Sequence, residues 1–186
     1  MIQDGPLPGL KLFTPRVFGD ARGYFFEAYN AQVWREAGVA TEFVQDNQAY
    51  SSRGVLRGLH YQRGEHAQAK LVRVIEGEVL DVAVDCRRDS PTYGRHHAVV
   101  LSGELHNQFY VPRGFAHGYL VLSETALFAY KCDNYYAPES EGGIRFDDPA
   151  LGIDWRIDAA AIRLSAKDEV LPSFAEARPV DVTYAA

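Results

Sequence analysis

Short runs in which apolar and polar residues alternate recur through most of the chain, separated by glycine, proline, asparagine and aspartate. Alternation with a period of two is typical of strands that have one covered face. The pattern predicts strands at residues 10–13, 24–29, 42–50, 57–62, 70–75, 79–85, 97–101, 108–111, 118–122 and 126–132. Such even spacing, with little helix between the strands, favours an all-β barrel or sandwich of jelly-roll type.

Few helices are predicted, and they are short and peripheral. Asn30 is a suitable N-cap for a helix over 31–37, which Gly38 would end, and a second short capped helix begins at about Asp158. Residues 19–23 and 51–54 have the composition of turns. Because no repeat, linker or low-complexity segment interrupts the chain, we expect one domain over residues 1–186.

Composition narrows the classes of function. Of the 186 residues 47% are hydrophobic and 24% are charged, as in ordinary globular proteins. The net charge of −6 argues against nucleic acid as a partner, because phosphate backbones require a basic surface. No apolar run approaches the length of a membrane span, and the N-terminus lacks the layout of a signal peptide. Cys86 and Cys132 form neither a disulfide framework nor a metal spacing, so a cytoplasmic protein is predicted.

Three separate β segments carry side chains suited to proton transfer. His60 lies in the stretch 57–62, His117 follows a proline and glycine turn, and Tyr130 lies on the last predicted strand. A strand histidine by itself is more often structural than catalytic. Two imidazoles and a phenol on separate strands of one barrel indicate an acid–base site.

Strand parity limits which side chains can meet. Lys70 and Tyr130 each share a strand face with apolar residues, so both are compatible with the inside of a barrel. Arg57 and His60 are an odd number of residues apart and would point to opposite faces of a regular strand. Both can reach one ligand only if Gly58 marks a bulge or Arg57 precedes the strand.

The segment Pro112-x-Gly114-x-x-His117 resembles the second signature of the cupin superfamily, in which a turn delivers a histidine into a jelly-roll barrel. The first cupin signature would require two histidines one residue apart and a nearby glutamate. Here the stretch reads His60-Tyr61-Gln62, and Lys70 lies where an acidic ligand would be expected. An ammonium group repels a metal cation, so the resemblance implies a cupin barrel without metal.

A set of ordered motifs resembles one family, the dTDP-4-dehydrorhamnose 3,5-epimerases, over residues 2–175. The motifs lie at residues 20–27, 45–47, 56–62, 69–72, 112–118, 130–138, 147–149 and 164–168. The resemblance implies conversion of dTDP-4-dehydro-6-deoxy-D-glucose to dTDP-4-dehydro-L-rhamnose without a cofactor. A 4-keto group acidifies the C–H bonds at C3 and C5, because the carbanion is delocalised as an enolate.

By resemblance, His60 is the base, oriented by Asp168, and Tyr130 is the acid on the opposite face of the sugar. A carboxylate behind an imidazole fixes its tautomer and stabilises its charged form. Lys70 would face the C4 oxygen and stabilise the enolate. These four residues form the implied catalytic set.

The resemblance also implies a set of substrate-binding residues: Arg22, Glu27, Gln45, Asn47, Arg57, His117, Glu141 and Lys167. A diphosphate suits arginine and lysine. Phe25 or Tyr136 would stack on the base, and Glu27 would select thymine. The resemblance also implies a homodimer in which each N-terminal segment contributes to the sheet and site of the partner. Arg22 and Glu27 are therefore expected to act in the partner's site.

Alternative functions remain at this point. A relative from an antibiotic-sugar pathway would invert only C3 or only C5 with the same base and acid. A non-catalytic cupin would bind nucleotide sugars and tolerate loss of His60 and Tyr130. A metal-dependent cupin oxygenase would contain a bound transition metal.

Overall fold

A computed structural model describes residues 1–184, and within this range the chain is mostly β. The thirteen strands of the described residues are β1 Ile2–Asp4, β2 Lys11–Phe13, β3 Phe18–Asp20, β4 Gly23–Phe25, β5 Gln45–Ser52, β6 Leu56–Gln62, β7 Lys70–Glu76, β8 Glu78–Asp85, β9 His96–Ser102, β10 Gln108–Val111, β11 Phe115–Val121, β12 Thr125–Cys132 and β13 Glu141–Gly143. The α-helix α1 covers Ala31–Glu36, and single 3₁₀ turns cover Gly64–His66, Pro138–Ser140, Ala159–Ala161 and Asp168–Val170. No helix in residues 1–184 is long and apolar enough to cross a membrane.

The strands form two antiparallel sheets that face each other. The six-stranded sheet has the order β1-β2-β10-β7-β12-β5, and the five-stranded sheet has the order β13-β6-β11-β8-β9. Strands β3 and β4 form a separate hairpin. The predicted all-β fold of jelly-roll type, with a few short peripheral helices, is confirmed.

The main core lies between the sheets. Val72 and Phe128 from the six-stranded sheet pack in one buried cluster with Ala83 and Val121 from the five-stranded sheet. A second cluster covers the outer face of the five-stranded sheet, where Trp155 belongs to the C-terminal segment. Because both faces of the five-stranded sheet are covered, β8 is buried at every position after its first.

The acidic positions within and at the end of β8 therefore lie inside the protein. Asp81 and Asp85 are both fully buried, and each is bound by a cationic or imidazole side chain. The alternation was predicted correctly, but alternation alone does not distinguish a solvent-exposed polar face from an internal one.

Helix α1 follows the prediction closely. The Asn30 side chain accepts hydrogen bonds from the backbone N–H groups of Gln32 and Val33, at 3.0 and 3.4 Å. Gly38 ends the helix with a φ of +84°, which glycine adopts at little steric cost. The helix is anchored by Trp34, which is 2% exposed.

Two local predictions were wrong. The predicted turn over 51–54 begins later, because β5 pairs with β12 through Ser52. The predicted strand over 24–29 ends at Phe25. Phe26 instead stacks on His106, with ring centroids 4.8 Å apart, and the Ala28 carbonyl accepts a hydrogen bond from the Gln108 side chain.

The end of β8 carries a buried polar network around Asp85. Its carboxylate accepts hydrogen bonds from Arg87 at 2.7 and 2.8 Å, from Ser90 at 2.6 Å and from Thr92 at 2.7 Å. Arg87 also donates to the Pro8 carbonyl, so the network attaches the N-terminal segment to the sheet. Burial by itself would raise the pKa of Asp85, but these hydrogen bonds outweigh it and lower the pKa.

We expect Asp85→Asn to lower the free energy of unfolding by about 3–5 kcal/mol, because it leaves the buried Arg87 guanidinium without its counter-charge. Asp4→Asn is the matched control: its carboxylate is 84% exposed and pairs with Lys11, so the loss should be at most about 1 kcal/mol. Urea denaturation at neutral pH measures both.

The Asp85 contribution should also depend on pH. Because the pKa is lower in the folded state, the contribution is present above the ordinary carboxylate pKa of about 4 and is lost as pH falls through the folded-state value. Equal losses in the two variants at neutral pH would contradict this account.

Candidate active site

A cavity of about 450 Å³ opens between the two sheets. The five-stranded sheet contributes His60 and His117 to its wall, and the facing sheet contributes Lys70 and Tyr130. Asp168 from the C-terminal segment lies at the same cavity. Its volume is in the range that holds small-molecule ligands.

A second recess of about 270 Å³ adjoins this cavity and shares His60, Lys70 and Tyr130 with it. The predicted binding residues of this recess are Gln45, Asn47, Tyr136 and Glu141. The two spaces together form one larger cavity with a polar extension.

A bulge in β6 brings Arg57 and His60 to the same cavity, as the parity argument required. His60 lies opposite His117 and Arg57 lies opposite Tyr119, so three steps along β6 match two steps along β11. Gly58 has a φ of +134°, and a Cβ at this position would lie 2.5 Å from the Gly118 Cα. Only glycine fits this position.

His60 is held by a carboxylate from a distant part of the chain. Its Nε2 lies 2.6 Å from Asp168 Oδ1, so Nδ1 is the nitrogen left for a ligand. Asp168 is 5% exposed, and its backbone N–H binds Ser165. Burial acts to raise the pKa of Asp168, but the hydrogen bond and the charge of His60 outweigh it and lower the pKa. The predicted contact between His60 and Asp168 is therefore present, and its catalytic role stays a prediction.

Tyr130 and Lys70 lie on the wall opposite His60. Burial, with smaller contributions from Cys132 and Tyr119, raises the pKa of Tyr130 to about 12, so the phenol is protonated at neutral pH. Burial also lowers the pKa of Lys70, whose Nζ lies 5.8 Å from the centre of the Tyr130 ring. The wall thus presents a proton donor next to the Lys70 amine, whose charged form burial disfavours.

His117 is paired with a carboxylate that the sequence did not identify as part of the site. Its Nε2 lies 2.8 and 3.0 Å from the two oxygens of Asp81, which is fully buried. The one available signal was a single acidic residue inside the aliphatic strand β8. The pair fixes the orientation of the His117 ring in the cavity wall.

At the rim of the cavity, the predicted binding residues Glu141 and Lys167 form an ion pair at 2.5 Å. The Tyr136 hydroxyl donates to the other Glu141 oxygen at 2.9 Å. This contact is the main cause that raises the pKa of Tyr136. The rim therefore connects β13 to the C-terminal segment that carries Asp168.

The cavity is positively charged although the chain as a whole carries a net charge of −6. Arg57, Lys70, Arg163 and Lys167 line it, and Arg163 was not identified from the sequence. In the described part of the chain, Arg57, Lys70 and Arg163 form no salt bridge with a carboxylate. Uncompensated cations in a cleft attract an anionic ligand.

The predicted residues Arg22, Phe25 and Glu27 do not reach this cavity within the chain. Arg22 pairs with Asp20 at 2.5 Å on the β3–β4 hairpin, and its side chain is 89% exposed. Phe25 is 69% exposed, and Glu27 accepts a hydrogen bond from the Asn30 side chain. Their role in substrate binding stays a prediction.

No group of three histidine, cysteine, aspartate or glutamate side chains suited to a metal ion occurs in residues 1–184. Both cavity histidines instead bind single carboxylates. Cys86 and Cys132 are buried free thiols.

The comparisons with known proteins agree with one another. A family model described as dTDP-4-dehydrorhamnose 3,5-epimerase matches residues 4–176. The dTDP-4-dehydrorhamnose 3,5-epimerase of Pseudomonas aeruginosa is 54% identical over 172 residues, which cover 92% of this chain and 94% of that protein. The enzyme of the same name from Salmonella typhimurium is 53% identical over 167 residues, covering 89% and 91%.

A solved structure shares the fold closely. The dTDP-6-deoxy-D-glucose-3,5-epimerase of Legionella pneumophila, in complex with dTDP-4-keto-L-rhamnose, has a TM-score of 0.91 and 48% sequence identity. The similarity covers 95% of this chain and 93% of that one.

We expect Gly58→Ala to destabilise the protein by about 1–3 kcal/mol, because a side chain at this φ meets the backbone of Gly118. Gly152→Ala is the matched control: its φ is also positive, at +58°, but an added Cβ meets no described atom within 4 Å. Urea denaturation compares the two. A loss at Gly58 no larger than at Gly152 would contradict the tight approach of β6 and β11.

Proposed function

The chain belongs to the dTDP-4-dehydrorhamnose 3,5-epimerase family, and we propose that it catalyses the reaction for which the family is named. It converts dTDP-4-dehydro-6-deoxy-D-glucose to dTDP-4-dehydro-L-rhamnose by removing and replacing protons at C3 and C5. The observation that carries this proposal is one cavity with the His60–Asp168 pair on one wall and Tyr130 and Lys70 on the other.

His60 is the base in this reaction. Its Nε2 is engaged by Asp168, which leaves Nδ1 to take the proton from the carbon next to the C4 carbonyl. Asp168 is buried and has a lowered pKa, so it remains an anion and stabilises the imidazolium that forms. A base positioned in this way typically contributes about 10²–10⁴-fold to the rate.

Lys70 stabilises the enolate that this step creates. Its ammonium group lies in the cavity without a carboxylate partner among the described residues, so it is available to the C4 oxygen. Loss of a single oxyanion donor typically costs about 3–4 kcal/mol of transition-state stabilisation. Burial excludes water and strengthens this interaction.

Tyr130 returns a proton to the opposite face of the sugar. With a pKa of about 12 its hydroxyl is protonated before each cycle, as a general acid must be. Removal of a proton on one side and its replacement on the other inverts the carbon. No cofactor takes part in this scheme.

The diphosphate and nucleotide bind through the remaining residues of the cavity and its polar extension. Arg57, Lys167 and the newly identified Arg163 provide charge for the diphosphate. Gln45, Asn47 and Glu141 provide hydrogen bonds, His117 holds the sugar side, and Tyr136 stacks on the base. Binding would displace Lys167 or Tyr136 from Glu141.

The active form is a homodimer in which the β3–β4 hairpin enters the partner's site. Phe18, Tyr24 and Phe25 expose 52%, 63% and 69% of their surface on this hairpin, which is unusual for a cluster of large apolar side chains. Arg22, Phe25 and Glu27 would then complete the nucleotide site in trans.

Two further points of organisation belong to the proposal. Residues 1–186 act as a single domain, since the described N- and C-terminal segments both pack on the same pair of sheets. The protein works in the cytoplasm, where the two buried thiols stay reduced.

Incubation with dTDP-4-dehydro-6-deoxyglucose in D₂O tests the reaction, with NMR detecting deuterium at each carbon. We expect label at both C3 and C5, and exchange about 10²–10⁴-fold slower in His60→Asn. His66→Asn, at a partly exposed histidine outside the cavity, is the control and should exchange normally. Label at one carbon would indicate a single-site epimerase, and absence of label would exclude epimerisation.

Mixed dimers test the exchanged hairpin. Arg22→Ala and His60→Asn should each lose most activity alone. If Arg22 acts in trans, a dimer of one protomer of each kind contains one intact site, so random mixing should recover activity in about a quarter of the sites. If mixing restores nothing while dimers form, Arg22 does not act in the partner's site.

A further inference from the structure

Tyr119 places a polar atom in the cavity wall that the proposed mechanism does not use. It lies on β11 two residues after His117, so the two side chains share the face toward the cavity. Its ring stacks on Phe128 with centroids 3.9 Å apart and an interplanar angle of 15°. The residue is 4% exposed, and its hydroxyl has no hydrogen-bond partner among the described residues.

The nearest polar side chains are already engaged with each other. Arg57 Nε donates to Ser51 Oγ at 3.1 Å. Burial raises the pKa of Tyr119, against the charge of Arg57 and weak contacts of the hydroxyl with Ser51 and Arg57. These contacts do not meet hydrogen-bond geometry. The hydroxyl is therefore a protonated donor without a well-formed hydrogen bond among the described residues.

Arg57 is the cation next to this hydroxyl. It lies directly opposite Tyr119 in the β6–β11 pairing, and its side chain is exposed. It forms no salt bridge in the part of the chain that the structure describes. An anionic ligand would attract the guanidinium away from Ser51 and open a path to the Tyr119 hydroxyl.

An unpaired buried hydroxyl lowers stability, and packing does not require it here. The Tyr119 ring belongs to an apolar cluster with Ala83, Val121 and Phe128, where a phenylalanine ring would make the same contacts. Tyr110 shows the ordinary arrangement: it is 7% exposed, and its hydroxyl is 2.9 Å from Thr41 Oγ1. An oxygen atom of a bound ligand would supply the hydrogen-bond acceptor that the protein does not provide for the Tyr119 hydroxyl.

We propose that the Tyr119 hydroxyl donates a hydrogen bond to the C2 hydroxyl of the sugar and selects substrates that carry an oxygen at C2. This assignment rests on the proposed function. The proposed mechanism assigns the C4 oxygen to Lys70. Apart from this oxygen and the C1 and ring oxygens, the sugar carries oxygens only at C2 and C3, and C3 is inverted during the reaction. A contact that persists through both inversions therefore belongs to C2, while the cations of the cavity attract the diphosphate.

The test compares two substrates, dTDP-4-dehydro-6-deoxyglucose and its 2-deoxy analogue, in wild type and Tyr119→Phe. The wild type should use the 2-deoxy analogue with a kcat/KM about 10-fold lower, because the analogue leaves the Tyr119 hydroxyl unpaired. With the natural substrate, the kcat/KM of Tyr119→Phe should be about 10-fold lower than that of the wild type. With the 2-deoxy analogue, the kcat/KM of the variant should equal that of the wild type. Its affinity for dTDP alone should be unchanged.

Tyr110→Phe is the matched control, since it removes a hydroxyl of similar burial that has a partner outside the cavity. It should lower Tm and leave the preference between the two substrates intact. Tyr119→Phe should keep or raise Tm, because it removes an unsatisfied group. The thermal comparison does not depend on catalysis.

Each contrary result is distinct. Equal loss with both substrates, or no loss with either, would overturn the C2 contact. Weaker binding of dTDP would assign the hydroxyl to the diphosphate and also overturn it. Failure of the wild type to exchange protons in D₂O would reject the proposed function itself, and would be seen before any variant is compared.

Discussion

The hydrogen bond between His60 and Asp168 is the contact on which the site depends. It joins β6 of the five-stranded sheet to a segment 108 residues further along the chain. That segment also brings Arg163 and Lys167 to the cavity, and Arg163 accepts a backbone hydrogen bond from Leu56. The contact that orients the proposed base therefore also positions part of the positive wall. A carboxylate in this place keeps one imidazole nitrogen occupied and the other free for the substrate.

The jelly roll makes a reaction with two faces possible because its two sheets provide two separate walls. Alternation along each strand sends every second side chain inward, so His60 and His117 face Tyr130 and Lys70 across one space. Burial affects the two functional groups of the second wall in opposite ways. It keeps the Tyr130 phenol protonated, whereas it lowers the pKa of Lys70 and so disfavours the ammonium form, which an anionic ligand would stabilise.

Much of this arrangement could be predicted from the sequence, because it is encoded locally. The strand alternation, the cap at Asn30 and the need for a bulge at Gly58 follow from nearby residues. The motifs also identified His60, Lys70, Tyr130 and Asp168, which the structure brings to one cavity.

What could not be predicted depends on register between distant strands. The pairing of His117 with Asp81, 36 residues away, requires the alignment of β11 with β8. The unpaired hydroxyl of Tyr119 has no local signature, because the sequence does not tell which partners surround a buried tyrosine. The contribution of Arg22 cannot be read from a single chain, because its proposed site lies on another copy.

The central claim, a base on one wall and an acid on the other, is tested most directly by Tyr130→Phe. The measurement compares deuterium exchange from D₂O with net inversion at C3 and C5 in this variant. If His60 is the base, it removes a proton and returns one to the same face, so we predict continued exchange while inversion falls by about 10²-fold or more at one carbon at least. Equal loss of exchange and inversion would contradict the two-walled mechanism.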